Sequence, residues 1–162
     1  MTKPIVERRP GKMLRFGLRL SLWFYRFNLG WLLGSRFLML THTGRKSGFP
    51  HQTVIEVVQH DKQTDTFYVV SGWGEKSDWY QNIRQSPAVI VRVGRRKFKA
   101  NAKFIALPKE IKMMETYAHE HPVAFSELSS LFLGERMKPS SDAALRVAEK
   151  MPMVAFQPME ST

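Results

Sequence analysis

A chain of 162 residues with 43% hydrophobic and 12% aromatic content is long enough to bury a core and reads as one globular domain, 1–162. It has no cysteine, which excludes disulfides, thiolate metal sites and thiol nucleophiles and favours a reducing cytoplasm. The excess of 25 Lys and Arg over 14 Asp and Glu, a formal charge of +11, attracts anions: nucleic acid, anionic lipid, or a ligand bearing phosphates and carboxylates.

Leu14, Leu18, Leu22 and Tyr25 recur at helical spacing and predict an amphipathic helix over 12–27, part of an N-terminal helical extension, 1–34. Arg15, Arg19, Arg26 and Arg36 interrupt this region, so it holds no window of roughly 20 apolar residues able to span a bilayer. A core helix with a basic outer face is one reading. A helix lying on the inner face of a membrane, with Trp23, Phe24 and Trp31 in lipid, is the alternative.

From Arg36 the period changes to two. Strands are expected over 36–43 and 51–60, with Val54 and Val58 on one face of the second and Thr53, Ile55 and Val57 on the other. Between them lies Leu-Thr-His-Thr-Gly-Arg-Lys-Ser-Gly-Phe-Pro, residues 40–50, a polar turn with two glycines and two cations. Successive N–H groups in such a turn form an anion-binding concavity, to which Arg45 can add a planar fork, Lys46 a point charge and Ser47 a donor. An exposed hairpin connection without a ligand fits the same residues. A P-loop does not: Arg45 precedes Lys46 where glycine is needed, and Gly48, Phe49 and Pro50 follow instead of a helix.

A third strand is expected over 66–71, a glycine-bearing loop over 72–76, a short helix from Ser77 or Asp78 through Ser86, and strands over 88–93 and 97–107. In the last of these Lys97, Lys99, Asn101 and Lys103 share a basic face, while Phe98, Ala100, Ala102 and Phe104 face the core. Helices follow from Pro108, from Pro122 with the stripe Phe125, Leu128 and Phe132, and over 141–150, before a final strand over 151–156. The sum is an α+β protein: a mostly antiparallel small barrel over 35–157 with inserted helices.

In order and spacing, Leu40 to Gly48, Tyr68-Val-Val-Ser71, Trp79-Tyr-Gln-Asn82-Ile and Pro87-Ala-Val-Ile-Val-Arg-Val-Gly94 resemble the deazaflavin-dependent nitroreductase family. The resemblance covers residues 35–107 and implies a split β-barrel oxidoreductase using the deazaflavin coenzyme F-420, with FMN as the alternative. It implies that the turn Thr43, Gly44, Arg45, Lys46, Ser47 and Gly48 holds the coenzyme phosphate and that Ser71 sits near the ring. The resemblance implies that Trp79 and Tyr80 wall the ring and that Asn82 fixes backbone, although the i, i+4 spacing of Trp79 and Ile83 favours helix core.

A cofactor that carries the hydride also accounts for the lack of an acid, base or nucleophile pair. Val70-Ser71-Gly72 is no nucleophile elbow, and no histidine has metal-ligand companions, so no metal is expected. The family's nitroimidazole reducers carry a lysine after the Ser71 position and tyrosines where this chain has Val123 to Ser126, and His51 replaces a residue that is often basic. The expected reaction is hydride transfer between the reduced coenzyme and an activated double bond, quinone or nitro compound; a non-enzymatic basic binding module is the competing class. Expected partners are a planar small molecule and, as open alternatives, membrane at the N-terminal helix and a second copy of the chain. Nucleic acid is not expected, because Phe98 and Phe104 alternate away from the lysine face.

Overall fold

The computed structural model describes residues 34–160, which fall into two compact units. The expected helix over 12–27 lies outside the described residues.

One unit, residues 34–70, 78–103 and 154–160, is a six-stranded barrel closed in the order β1-β2-β3-β6-β5-β4. Its strands are β1 (Phe37–Thr43), β2 (Pro50–Asp61), β3 (Thr66–Val70), β4 (Ala88–Val93), β5 (Arg96–Phe104) and β6 (Met153–Pro158). Antiparallel pairing runs from β1 to β2 with Leu40 opposite Thr53, and from β1 to β4 with Leu40 opposite Val91. This is the barrel that the period-two runs predict. Closure removes both sheet edges, and the alternate residues Leu38, Leu40, Val69, Val91 and Ala100 meet inside without measurable exposure. A fully buried Leu or Val side chain contributes about 1.5 to 3 kcal/mol.

Two faces depart from strict alternation. In β2 the register against β3 shifts between Val57 and Gln59, so Ile55 and Val58, three residues apart, are both buried. A bulge adds one residue and flips the side chains that follow it. In β5 Ala100 and Ala102 are buried as expected, but Phe104 is 42% exposed and the strand ends there instead of at Leu107. At the end of the barrel opposite the β1–β2 turn, Asp65, with its backbone at φ 54°, accepts from both Arg96 and His60, and the His60 ring stacks on Phe67 at 4.0 Å.

The helix α1 (Asp78–Gln85) belongs to the barrel unit. Trp79, Tyr80 and Ile83 on its inner face join the barrel core. The second unit comprises residues 71–77 and 104–153, with a short 3-10 turn at Gly74–Lys76 and the helices α2 (Leu107–Glu120), α3 (Pro122–Leu133) and α4 (Ser141–Lys150). Proline opens α2 and α3, where a missing N–H costs nothing; Gly134, left-handed at φ 73°, ends α3; and the Ser140 hydroxyl caps α4 by accepting from Ala143 N–H at 3.0 Å. Among the described residues no helix is long and apolar enough to cross a membrane.

Candidate functional site

The polar turn between β1 and β2 closes on itself through two backbone bonds of 2.8 Å, Gly44 N–H to Phe49 O and Gly48 N–H to Gly44 O. Both glycines are required by geometry. Gly48 holds φ at 71°, and a Cβ on Gly44 would come within 2.6 Å of both the His51 ring and the Ser47 hydroxyl. The Ser47 Oγ accepts from Phe49 N–H at 3.2 Å and lies 3.2 Å from His51 Nε2.

Arg45 turns inward to α1. Its backbone N–H and its Nη1 both reach Asn82 Oδ1, at 3.1 and 2.8 Å, while Nη2 pairs with Asp78 Oδ1 at 3.1 Å. Asp78 and Asn82 are four residues apart and so lie on one helix face, which lets one guanidinium engage both. The Asp78 side chain is 87% exposed, and an ion pair so open to water is worth at most about 1 kcal/mol. The bonds to Asn82, itself 5% exposed, are the stronger tie between turn and helix.

Asn82 spends its other amide atom on His42, placing Nδ2 at 3.1 Å from His42 Nδ1. Because Oδ1 already accepts from Arg45, Nδ2 must donate, so His42 Nδ1 is bare and the ring proton sits on Nε2. The buried His42 imidazolium is pushed down to about 4, by loss of water and secondarily by the nearby His51, with Asp78 a partial offset. His42 is therefore a neutral acceptor at neutral pH, and its ring stacks on that of His51 with centroids 6.0 Å apart.

Around this braced frame, Lys46 is exposed, and neither its ammonium nor the N–H groups of Lys46 and Ser47 have a partner among the described residues. A point charge and two N–H groups without partners among the described residues, on a turn tied to α1, suit an anion. Thr43, at the end of β1, is also exposed.

The other sequence-selected residues are placed differently. Trp79 and Tyr80 are 8% and 5% exposed, pack edge to face at 5.9 Å, and belong to the core as the helical-spacing reading has it. Ser71 lies in the helical unit and is fully buried. Its hydroxyl donates to Gly74 O at 2.6 Å and meets the Ser77 hydroxyl at 2.6 Å, while its N–H reaches Pro152 O at 3.0 Å. That hydroxyl closes its own loop. In the same unit the Phe132 ring packs so closely on Gly72 that a Cβ there would approach to 2.3 Å, and Trp73 meets Phe132 edge-on at 5.3 Å.

Sequence reasoning overlooked two participants in the site and one buried acid in the helical unit. Asp78 and His42 complete the Arg45–Asn82 chain, and for Asp78 the i, i+4 relation to Asn82 was available as a signal. Glu110, in α2, is 2% exposed and accepts from the backbone of Met153, and burial raises its carboxyl to about 7. Its i+4 and i+7 neighbours, Met114 and Tyr117, mark the buried face of that helix. No group of three or more His, Asp or Glu that could hold a metal is present among the described residues.

Residues 18–126 match the family model described as F420H(2)-dependent quinone reductase. No curated protein matches the chain in sequence. Among solved structures, an F420-H2 dependent reductase is 17% identical over 75% of this chain and 94% of its own, with a TM-score of 0.50. A pyridoxamine 5'-phosphate oxidase-related, FMN binding protein from Nostoc punctiforme is 12% identical over 94% and 82%, with a TM-score of 0.52. The general stress protein 26 of Bacillus anthracis is 14% identical over 87% and 90%, also at 0.52. At such identities these structures speak for the fold alone.

Proposed function

The chain belongs to the F420H(2)-dependent quinone reductase family and is thus a deazaflavin-dependent reductase; from that premise we propose that it passes a hydride from reduced coenzyme F-420 to a planar acceptor, a quinone or an activated double bond. One observation carries the site assignment: an exposed Lys46 and two N–H groups that have no partner among the described residues, on a turn that Arg45, Asn82 and His42 hold in place. The donor set fits a phosphate ester. It offers charge and N–H donors in the open, and Gly44 and Gly48 supply the backbone shape.

When bound, the deazaflavin supplies the hydride; the protein has to hold, orient and shield it. Lys46 and the Lys46 and Ser47 N–H groups are the contacts for the phosphate. Arg45 acts behind them as a strut, its fork engaged by Asp78 and Asn82, so removing its charge would loosen the turn without taking away the cation nearest the ligand. Trp79 and Tyr80 back the site from the core, and Asn82 fixes the Arg45 backbone. A quinone or enone suits the chain better than a nitroimidazole, because Gly72 and Val123 to Ser126 depart from the lysine and tyrosines that the family resemblance implies for nitroimidazole reducers.

Fluorescence titration with coenzyme F-420, and with FMN in parallel, tests the cofactor. We expect saturable binding of the deazaflavin. Lys46→Met should weaken it by about 1.5 to 3 kcal/mol, the range for a hydrogen bond to a charged group. Lys62→Met, in the β2–β3 turn at the other end of the barrel, should leave it unchanged and so controls for net charge. Equal losses in both variants would show that overall charge, and not the turn, attracts the coenzyme. Absorbance assays of reduced-coenzyme oxidation by quinones, enones and nitroimidazoles then rank the acceptors.

A further inference from the structure

We propose that Lys99 and Lys103, on the outer face of β5, receive the acidic tail of the coenzyme whose phosphate the turn holds. The inference rests on the turn being the phosphate site. In coenzyme F-420 the phosphate continues into a chain of glutamates, so an anion held at Lys46 trails further carboxylates. Strand register shows what lies beside the turn. Thr43 is opposite Pro50, Thr41 is opposite Ile90, and Ala88 is opposite Asn101. Carrying the β1–β4 register on by two residues sets Thr43 beside Ala88, so Thr43, Ala88 and Asn101 make one row across the outer face at the turn end of the barrel. Lys99 and Lys103 flank Asn101 on that face, because alternate residues of a strand share a side and Ala100 and Ala102 belong to the core. Both lysines are exposed, and neither is in an ion pair among the described residues.

The reach is adequate. Two inter-strand steps of about 4.8 Å separate Thr43 from Asn101, roughly 10 Å in all. An extended residue covers about 3.5 Å and a γ-linked glutamate more, so a few glutamates cross the row. The path is low as well, since Thr43 and Ala88 are exposed and Ala88 raises only a methyl group above the sheet. No described carboxylate of this unit stands in the row to repel the tail. Glu56 is opposite Phe37 at the start of β1, Asp61 and Asp65 border the β2–β3 turn at the other end, and Asp78 is held by Arg45. Glu160 follows Met159, whose N–H donates to Lys99 O at 3.0 Å, while Ile105 N–H donates to Met153 O; the two strands run oppositely, so Glu160 lies on the side of Lys99 away from Lys103. Lys97 shares the basic face but sits opposite Arg92 beside the β4–β5 turn, about 20 Å along the strand from Lys103.

The test is a fluorescence titration with coenzyme F-420 and with the same deazaflavin phosphate lacking its glutamates. Lys99→Gln and Lys103→Gln should each weaken binding of the full coenzyme about two- to fivefold at low salt, as for an exposed ion pair, and leave the tail-less ligand unchanged. The loss should shrink as salt is raised. Lys103→Arg, which keeps the charge, should bind as the wild type does, and so should Lys97→Gln. Equal losses for the two ligands, or a loss in Lys97→Gln matching that in Lys103→Gln, would overturn the inference, because overall charge would account for it. Unchanged coenzyme binding in Lys99→Gln and Lys103→Gln, with both ligands weakened by Lys46→Met, would also overturn it while the turn kept its phosphate. If Lys46→Met altered neither ligand, the assignment of the turn would fall and this inference with it.

Discussion

Replacing Asn82 with leucine is expected to lower the unfolding free energy by about 2 to 4 kcal/mol and to weaken coenzyme binding although Asn82 need not touch the ligand. The side chain is 5% exposed and serves three partners: its oxygen takes the Arg45 N–H and Nη1, and its NH2 supplies His42 Nδ1. Leucine has a similar volume but leaves these groups without partners, and each buried polar group so stranded costs about 1 to 3 kcal/mol. Arg45 would retain only Asp78, across an exposed ion pair too weak to fix the turn. Asn82→Asp separates the two halves of the effect. It keeps an acceptor for Arg45 but demands a proton on His42 Nδ1, so its stability should recover at low pH where the leucine variant's does not. Urea denaturation at several pH values measures both. A leucine variant within about 0.5 kcal/mol of wild type, the usual scatter for a surface change, would mean that the chain of bonds from Asp78 to His42 holds nothing together.

What the sequence makes readable follows from the range of the interactions involved. The turn is marked by its own residues, because Gly44 and Gly48 are needed for local backbone geometry and Pro50 opens the next strand. Helix limits are equally local: Pro108, Pro122, Gly134 and Ser140 each act within one turn of where they stand. The barrel follows from alternation at Leu38 and Leu40, and at Ala100 and Ala102, since only a closed sheet of this size hides every inner face. The destination of the Arg45 fork is another matter. Arg45 and Asn82 are 37 residues apart in the chain, and nothing within the turn says that a helix acid and amide will be waiting. The bulge in β2 is hidden for a different reason. Val57 and Val58 are both apolar, so a register shift between two acceptable inner residues leaves no trace in the pattern. Ser71 sits at the end of an apolar strand run, where a hydroxyl reads as a ligand contact, yet a loop only three residues long returns the Gly74 carbonyl to it.

Glu110→Gln is expected to stabilise the protein at pH 7.5 by up to about 3 kcal/mol and to have little effect at pH 4.5. In the unfolded chain this carboxyl ionises near its ordinary 4.5, whereas burial at 2% exposure holds the proton on until about pH 7. Between those values the folded state binds more protons than the unfolded state, so the stability tied to Glu110 is complete below pH 4.5 and is lost as the pH rises to 7. Glutamine cannot ionise and still offers the Met153 N–H an acceptor, so it removes the loss. His42 has the opposite sign. Its folded value, about 4, lies below the ordinary 6.5, so its contribution is complete above pH 6.5 and is lost as the pH falls toward 4. Over pH 4.5 to 6.5 the two linkages oppose each other, which would give the wild type a flat profile that conceals both. Removing Glu110 should therefore expose a rising limb from His42, and the difference between variant and wild-type denaturation curves across pH 4 to 8 isolates the carboxyl. If that difference does not change with pH, Glu110 ionises as freely in the folded protein as in the unfolded chain, and its burial must be relieved by a partner or water that neutralises the cost.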